Sequence, residues 1–119
     1  MLLKNIAILR CLKRSASCDG GSCLKYFNNN LGDFSKYAGI EKQLVGMWTC
    51  NGCGDSMLEN QEGIRKKIER MKALEIDALH LSHCTSKKDE QGEKHLCPTI
   101  KAIADELANC GIKIVQGTH

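Results

Sequence analysis

Eight cysteines and four histidines in 119 residues are the part of this sequence most able to do chemistry. The cysteines stand at 11, 18, 23, 50, 53, 84, 97 and 110, and the histidines at 80, 83, 95 and 119. Cys50 and Cys53, in CNGC, have the C-x2-C spacing that lets two thiolates reach one ion about 2.3 Å from each sulfur. Thiolates are soft ligands that suit zinc, and four of them equally suit an iron–sulfur cluster. The same pair after a strand can instead cycle between dithiol and disulfide. A framework of four disulfides fits less well, because such chains are loop-rich and secreted. The opening MLLKNIAILR carries Lys4 and Arg10 with no small-residue cleavage site and does not read as a signal peptide. The expectation is reduced thiols in a cytoplasmic protein.

The elements that must position these groups alternate in kind. Lys4–Leu9, Gln43–Thr49, Asp77–Ser82 and Ile112–Val115 read as strands, apolar with little alternation, as in sheets covered on both faces. Gln61–Leu74 reads as a helix, since Ile64, Ile68, Met71 and Leu74 recur at helical spacing. Pro98–Asn109 is a second, with Pro98 suited to the first helical position and Gly111 just past the end. Ser22 is placed to cap a short helix carrying Leu24 and Phe27. Gly32–Gly39 reads as irregular with Phe34 and Tyr37 as packing anchors, Cys50–Gly54 as a turn-rich loop, and Thr85–Lys94 as a charged loop. Strands alternating with helices predict an α/β fold in three layers. The expected sheet has four parallel strands in the order 2-1-3-4, flavodoxin-like or Rossmann-like. One domain spans 1–119.

Mapped onto these elements, Cys11 follows the first strand, Cys50 and Cys53 the second, His83 and Cys84 the third, and His119 the fourth. Parallel strands put all those ends on one edge, where open α/β folds hold ligands. Cys18 and Cys23 leave the same edge as either a lid or further ligands, and Cys97 begins a helix there. Neighbouring strands lie about 4.8 Å apart, so strands 2, 1 and 3 span roughly 10 Å, while strand 4 is roughly 14 Å from strand 2. The preferred ligand set is therefore Cys11, Cys50, Cys53 and Cys84. His83, Cys97 and His119 would complete a second site or surround the first. Cys110 lies at the far end and reads as a buried small hydrophobe. His80, inside a strand, reads as a core histidine, and His95 as solvated.

The CNGC tetrapeptide, Cys11, the run HLSHC from His80 to Cys84, Cys97 with Pro98, and the ending Gly117–Thr118–His119 together resemble the CGGC-domain family of small prokaryotic proteins. The resemblance runs over nearly the whole chain and implies a metal held by the family's cysteines and histidines. Asn51 stands where the family has the first glycine; both thiols and their spacing remain.

Other classes find little support. The net charge is only +3, and the basic face from Arg65 to Lys72 is interleaved with Glu62 and Glu69 and lacks aromatics, so no nucleic-acid partner is expected. No apolar run approaches the ~20 residues of a membrane span. A cysteine phosphatase needs an arginine six residues after its cysteine, but Cys11 is followed there by Ser17 and Cys18 by Leu24. Gly20 and Gly21 come without a nucleotide-binding pattern. For a redox enzyme, Cys97 ahead of a helix is better placed for a lowered pKa than the 50/53 pair. The sequence points to a metal-binding protein, with thiol–disulfide exchange at Cys50/Cys53 or an iron–sulfur cluster as alternatives, and names no substrate or protein partner.

Overall fold

A computed structural model describes residues 3–12, 17–50, 57–88 and 90–118. Cys53 and His119 lie outside these. Strand β1 (Lys4–Arg10) is the centre of the fold because Ile6, Ala7, Ile8 and Leu9 are all apolar and fully buried. With both faces of a strand covered, the usual polar–apolar alternation disappears. Strand β2 (Lys42–Thr49) pairs parallel to one side of it and β3 (Ala78–Leu81) to the other. Strand β6 (Lys113–Gln116) pairs parallel to β3.

The sheet order is β2-β1-β3-β6. The sequence expectation, 2-1-3-4, counted four strands; the described residues hold two more. Ser86–Lys88 (β4) and Lys94–Leu96 (β5) form a separate antiparallel hairpin inside the segment expected to be a charged loop. Lysine-rich strands paired only with each other give no apolar period to read. Gly92, at φ +82°, supplies the backbone conformation that the turn between them needs.

Adjacent residues of β1 serve opposite layers. Ala7 and Leu9 pack with Leu79, Leu81 and Trp48 against helices α2 (Met57–Ala73) and α3 (Pro98–Ala108). Ile6 and Ile8 pack with Ala78 and Val115 against helix α1 (Gly21–Asn28) and the 3-10 segment Gly32–Tyr37. The three layers follow from this alternation. The stripe Ile64, Ile68, Met71 seats α2, and Gly46 lets it come close, since a Cβ there would lie 2.8 Å from Met71 Cε. Helix α1 begins at Gly21, with left-handed Gly20 at its N-cap in place of the expected Ser22. The Asp19 carboxylate accepts the Gly21 amide there at 2.8 Å. Phe34 and Tyr37 are buried, as anchors should be. Among the described residues no helix is long and apolar enough to cross a membrane.

A candidate thiol site at the carboxyl edge of the sheet

Because β1, β2, β3 and β6 run parallel, their carboxyl ends share one edge, and each delivers a polar or sulfur-bearing residue there. Strand β1 leads to Cys11 and β2 to Cys50. The pairing Arg10↔Thr49 puts these two cysteines one step past the last paired residues of adjacent strands. Both are buried, at 3% and 1% exposure. Strand β3 runs into Ser82 and a single 3-10 turn, His83–Thr85, pinned by the Thr85 hydroxyl donating to the Ser82 carbonyl at 2.7 Å. That turn swings the half-buried Cys84 back over β1.

The best-defined contact of the edge results from this turn. The Cys11 amide donates to Cys84 Sγ at 3.3 Å. Cys84 Sγ in turn lies 3.5 Å from Ser82 Oγ. On the other side of Ser82 sits Cys23, its sulfur 3.3 Å from Ser82 Oγ and 3.3 Å from Thr118 Oγ1. Ser82 thus links the sulfurs of two cysteines from distant parts of the chain. Cys23, expected as lid or ligand, is fully buried in α1 among Phe27, Phe34 and Tyr37, so it is no lid.

The remaining thiols divide by environment. Cys97 precedes α3 at its N-cap, buried in the same layer as Cys50, and its amide donates to the Thr85 carbonyl at 3.0 Å. Cys18 is exposed. Its pKa is lowered, first by the Gly20 amide and then by the Arg10 guanidinium, which also donates to the Cys18 carbonyl at 2.5 Å. Cys110 is exposed rather than buried, because it follows α3 in the turn that closes on Gly111. His83 is exposed on the 3-10 turn. All seven described cysteines are free thiols. Among the described residues no three His, Cys, Asp or Glu side chains stand close enough to hold one ion. Of the expected quartet, the Cys11 backbone amide touches the Cys84 sulfur, Cys50 follows the strand beside that of Cys11, and Cys53 is outside the described residues.

One residue of the edge was missed in the sequence. Lys67, taken there as part of a solvated face, is half-buried and donates to the Thr49 carbonyl at 3.0 Å, next to Cys50. Burial lowers its pKa, and the neighbouring Cys50 side chain opposes that shift. Its spacing held the signal: Lys67 follows Ile64 by three and precedes Met71 by four, on the apolar stripe itself.

His80 is the core histidine expected. It is fully buried, its ring 4.4 Å from Phe34. Nδ1 lies 2.9 Å from the Gly117 carbonyl, which can only accept, so this nitrogen carries the proton. Nε2 then accepts from the Tyr37 hydroxyl at 2.8 Å. Burial lowers the His80 pKa, so the ring is neutral and both nitrogens are satisfied.

With this geometry in view, comparison with known proteins gives one result. The family model described as the CGGC domain matches residues 5–119. No curated protein and no solved structure matches.

Proposed function

The chain belongs to the CGGC-domain family, a cysteine-rich family, and from that premise we propose that it binds a soft metal ion, zinc foremost, through thiolates at the carboxyl edge of its sheet. The observation that carries the reading is the Cys11 amide on Cys84 Sγ at 3.3 Å, which brings together the cysteines that follow the two central strands. Cys11, Cys84 and Cys50, with Cys53 from the C-x2-C pair, are the residues that would hold the ion; the three described sulfurs do not stand close enough to share one as they lie, so binding would have to draw them together. Four sulfur donors are the set that zinc prefers in closed sites, and fewer donors leave a position for water. A zinc ion supplies Lewis acidity when such a position is open.

The chain's own residues do the rest. The 3-10 turn aims Cys84, Ser82 and the Cys11 amide orient its sulfur, and the Lys67 ammonium offsets negative charge gathering near Cys50. His83, Cys97 and His119 are assigned to the surround of the site or to a second ion. The sheet, with helices on both faces, is taken as a variant of the flavodoxin-like doubly wound arrangement, whose ligands lie beyond the carboxyl ends of the strands.

Anaerobically purified, reduced protein should carry about one zinc per chain, or show the visible chromophore of an iron–sulfur cluster. The double variant Cys50→Ser, Cys53→Ser should lose it. Stoichiometric metal in that variant, or none in the parent after reconstitution, would overturn the assignment. A second reading, thiol–disulfide exchange at Cys50/Cys53, is favoured by the Lys67 ammonium beside Cys50, since a nearby cation is what a nucleophilic thiolate needs. Turnover of dithiols by metal-free protein would select it.

A further inference from the structure

The same edge carries a second feature, in which no cysteine takes part. A cleft of about 210 Å³ opens beyond the ends of β3 and β6, walled by the 3-10 segment on one side and the hairpin on the other. Asp33, Ser82, His83, Ser86, Lys94 and Gln116 supply its polar side chains. At ~30 Å³ per liquid water the space equals about seven waters, which suits a ligand smaller than drug size.

Its acidic wall is held in place. Asp33 precedes Phe34 and Tyr37, both locked in the core, and its carboxylate lies against Gly117. Gly117 has φ +113°, where L side chains are strained, and any Cβ there would collide with the Asp33 carboxylate. A glycine at 117 is therefore what allows the carboxylate its place at the cleft. Asp33 is half-buried, yet it makes no hydrogen bond or ion pair with any described residue. The side chain of Lys94, exposed on β5, likewise makes none with a described residue. One carboxylate and one ammonium thus line the same small cleft without pairing with each other.

A ligand that satisfies both must carry the opposite charges a short distance apart. We infer that this cleft binds a small amino-acid-like zwitterion, its ammonium on Asp33 and its carboxylate on Lys94, with Ser86 and Gln116 as neutral partners. Charge-assisted hydrogen bonds at both ends supply affinity. Requiring both ends supplies specificity, because a ligand without its carboxylate forgoes the charge-assisted bond to Lys94, and one without its ammonium leaves half-buried Asp33 unpaired. The position agrees with the tendency of open α/β sheets to bind ligands beyond their strand ends. The inference does not rest on the metal reading, although Ser82 and His83 border both the cleft and the thiol site.

The test is a titration of the whole protein with glycine, alanine and serine at millimolar concentration, followed by NMR shifts or calorimetry. Their N-acetyl and carboxamide derivatives, each missing one charge, serve as controls. Saturable binding of a free amino acid is expected, about tenfold or more weaker for either derivative. Asp33→Asn and Lys94→Met should each weaken it comparably. Absence of saturable binding, or equal binding of the blocked derivatives, overturns the inference. The ligand comparison uses the unmodified chain, so it decides the matter even if a variant fails to fold.

Discussion

Replacing His80 by leucine tests whether this histidine is a structural group of the core or belongs to the chemistry of the edge. At neutral pH the substitution strands the Tyr37 hydroxyl and the Gly117 carbonyl, both now bonded to the ring. A buried polar group left without its partner costs about 1–3 kcal/mol, so the pair costs about 2–6 kcal/mol. That is a large part of the ~5–15 kcal/mol that typically holds a domain together. The pH dependence is the sharper signature. Burial, the largest cause, lowers the folded-state pKa of His80; the Gly117 carbonyl and Asp33 act against it, and Lys36 and Lys113 with it. The unfolded chain, with an ordinary pKa of 6.5, therefore takes up a proton that the folded chain resists. Stability is fully present above that pH and declines as pH falls below it, with a slope of up to about 1.4 kcal/mol per pH unit. Urea unfolding of the parent and His80→Leu between pH 7.5 and 5 (about two units around the histidine midpoint) measures both effects. The difference between the two proteins should shrink toward acid, because only the parent pays for the neutral ring. A constant difference across that range would refute the assignment of His80 as a buried neutral core group.

Three further outcomes follow from the same geometry. Cys18, exposed and with its pKa lowered by the Gly20 amide and Arg10, should alkylate first among the described thiols near neutral pH. Arg10→Gln should move its pH–rate midpoint upward, as peptide mass mapping of iodoacetamide-treated protein would show; an unmoved midpoint counts against the contact. Burial, the larger cause, and Asp77 raise the Tyr37 pKa, so folding resists its ionisation and stability should fall as pH rises above the ordinary value of 10.0. Tyr37→Phe should remove that loss in alkaline unfolding measurements. Lys67→Met should lower stability by about 1–2 kcal/mol, since relief of a desolvated ammonium only partly offsets the lost bond to the Thr49 carbonyl. It should also loosen bound metal in chelator competition; unchanged metal retention would separate Lys67 from the site.

Much of the architecture was legible because its causes are local. An unbroken apolar run such as Ile6–Leu9 cannot alternate and must be covered on both faces, and Ile64, Ile68 and Met71 repeat at the helical period. Once strands and helices alternate, a parallel sheet follows, and with it the placement of Cys11, Cys50 and Cys84 beyond strand ends on one edge. The hairpin Ser86–Leu96 was not legible, because strands made of lysine and histidine pair through their backbones and leave no pattern of burial. Helix α1 began one residue before Ser22, since a left-handed glycine and an Asp19 carboxylate do the work of a side-chain cap.

The order of residues along the chain thus determined which groups arrive at the carboxyl edge, for strand direction is a property of connection and period. Which of them touch was decided only in three dimensions. The 3-10 turn after β3 sets Cys84 on the Cys11 amide, Ser82 joins Cys84 to a cysteine some sixty residues away in sequence, and Gly117 makes room for the Asp33 carboxylate. Each of these contacts depends on the trajectory of a short turn and on packing between segments remote in sequence, and a local pattern carries information about neither.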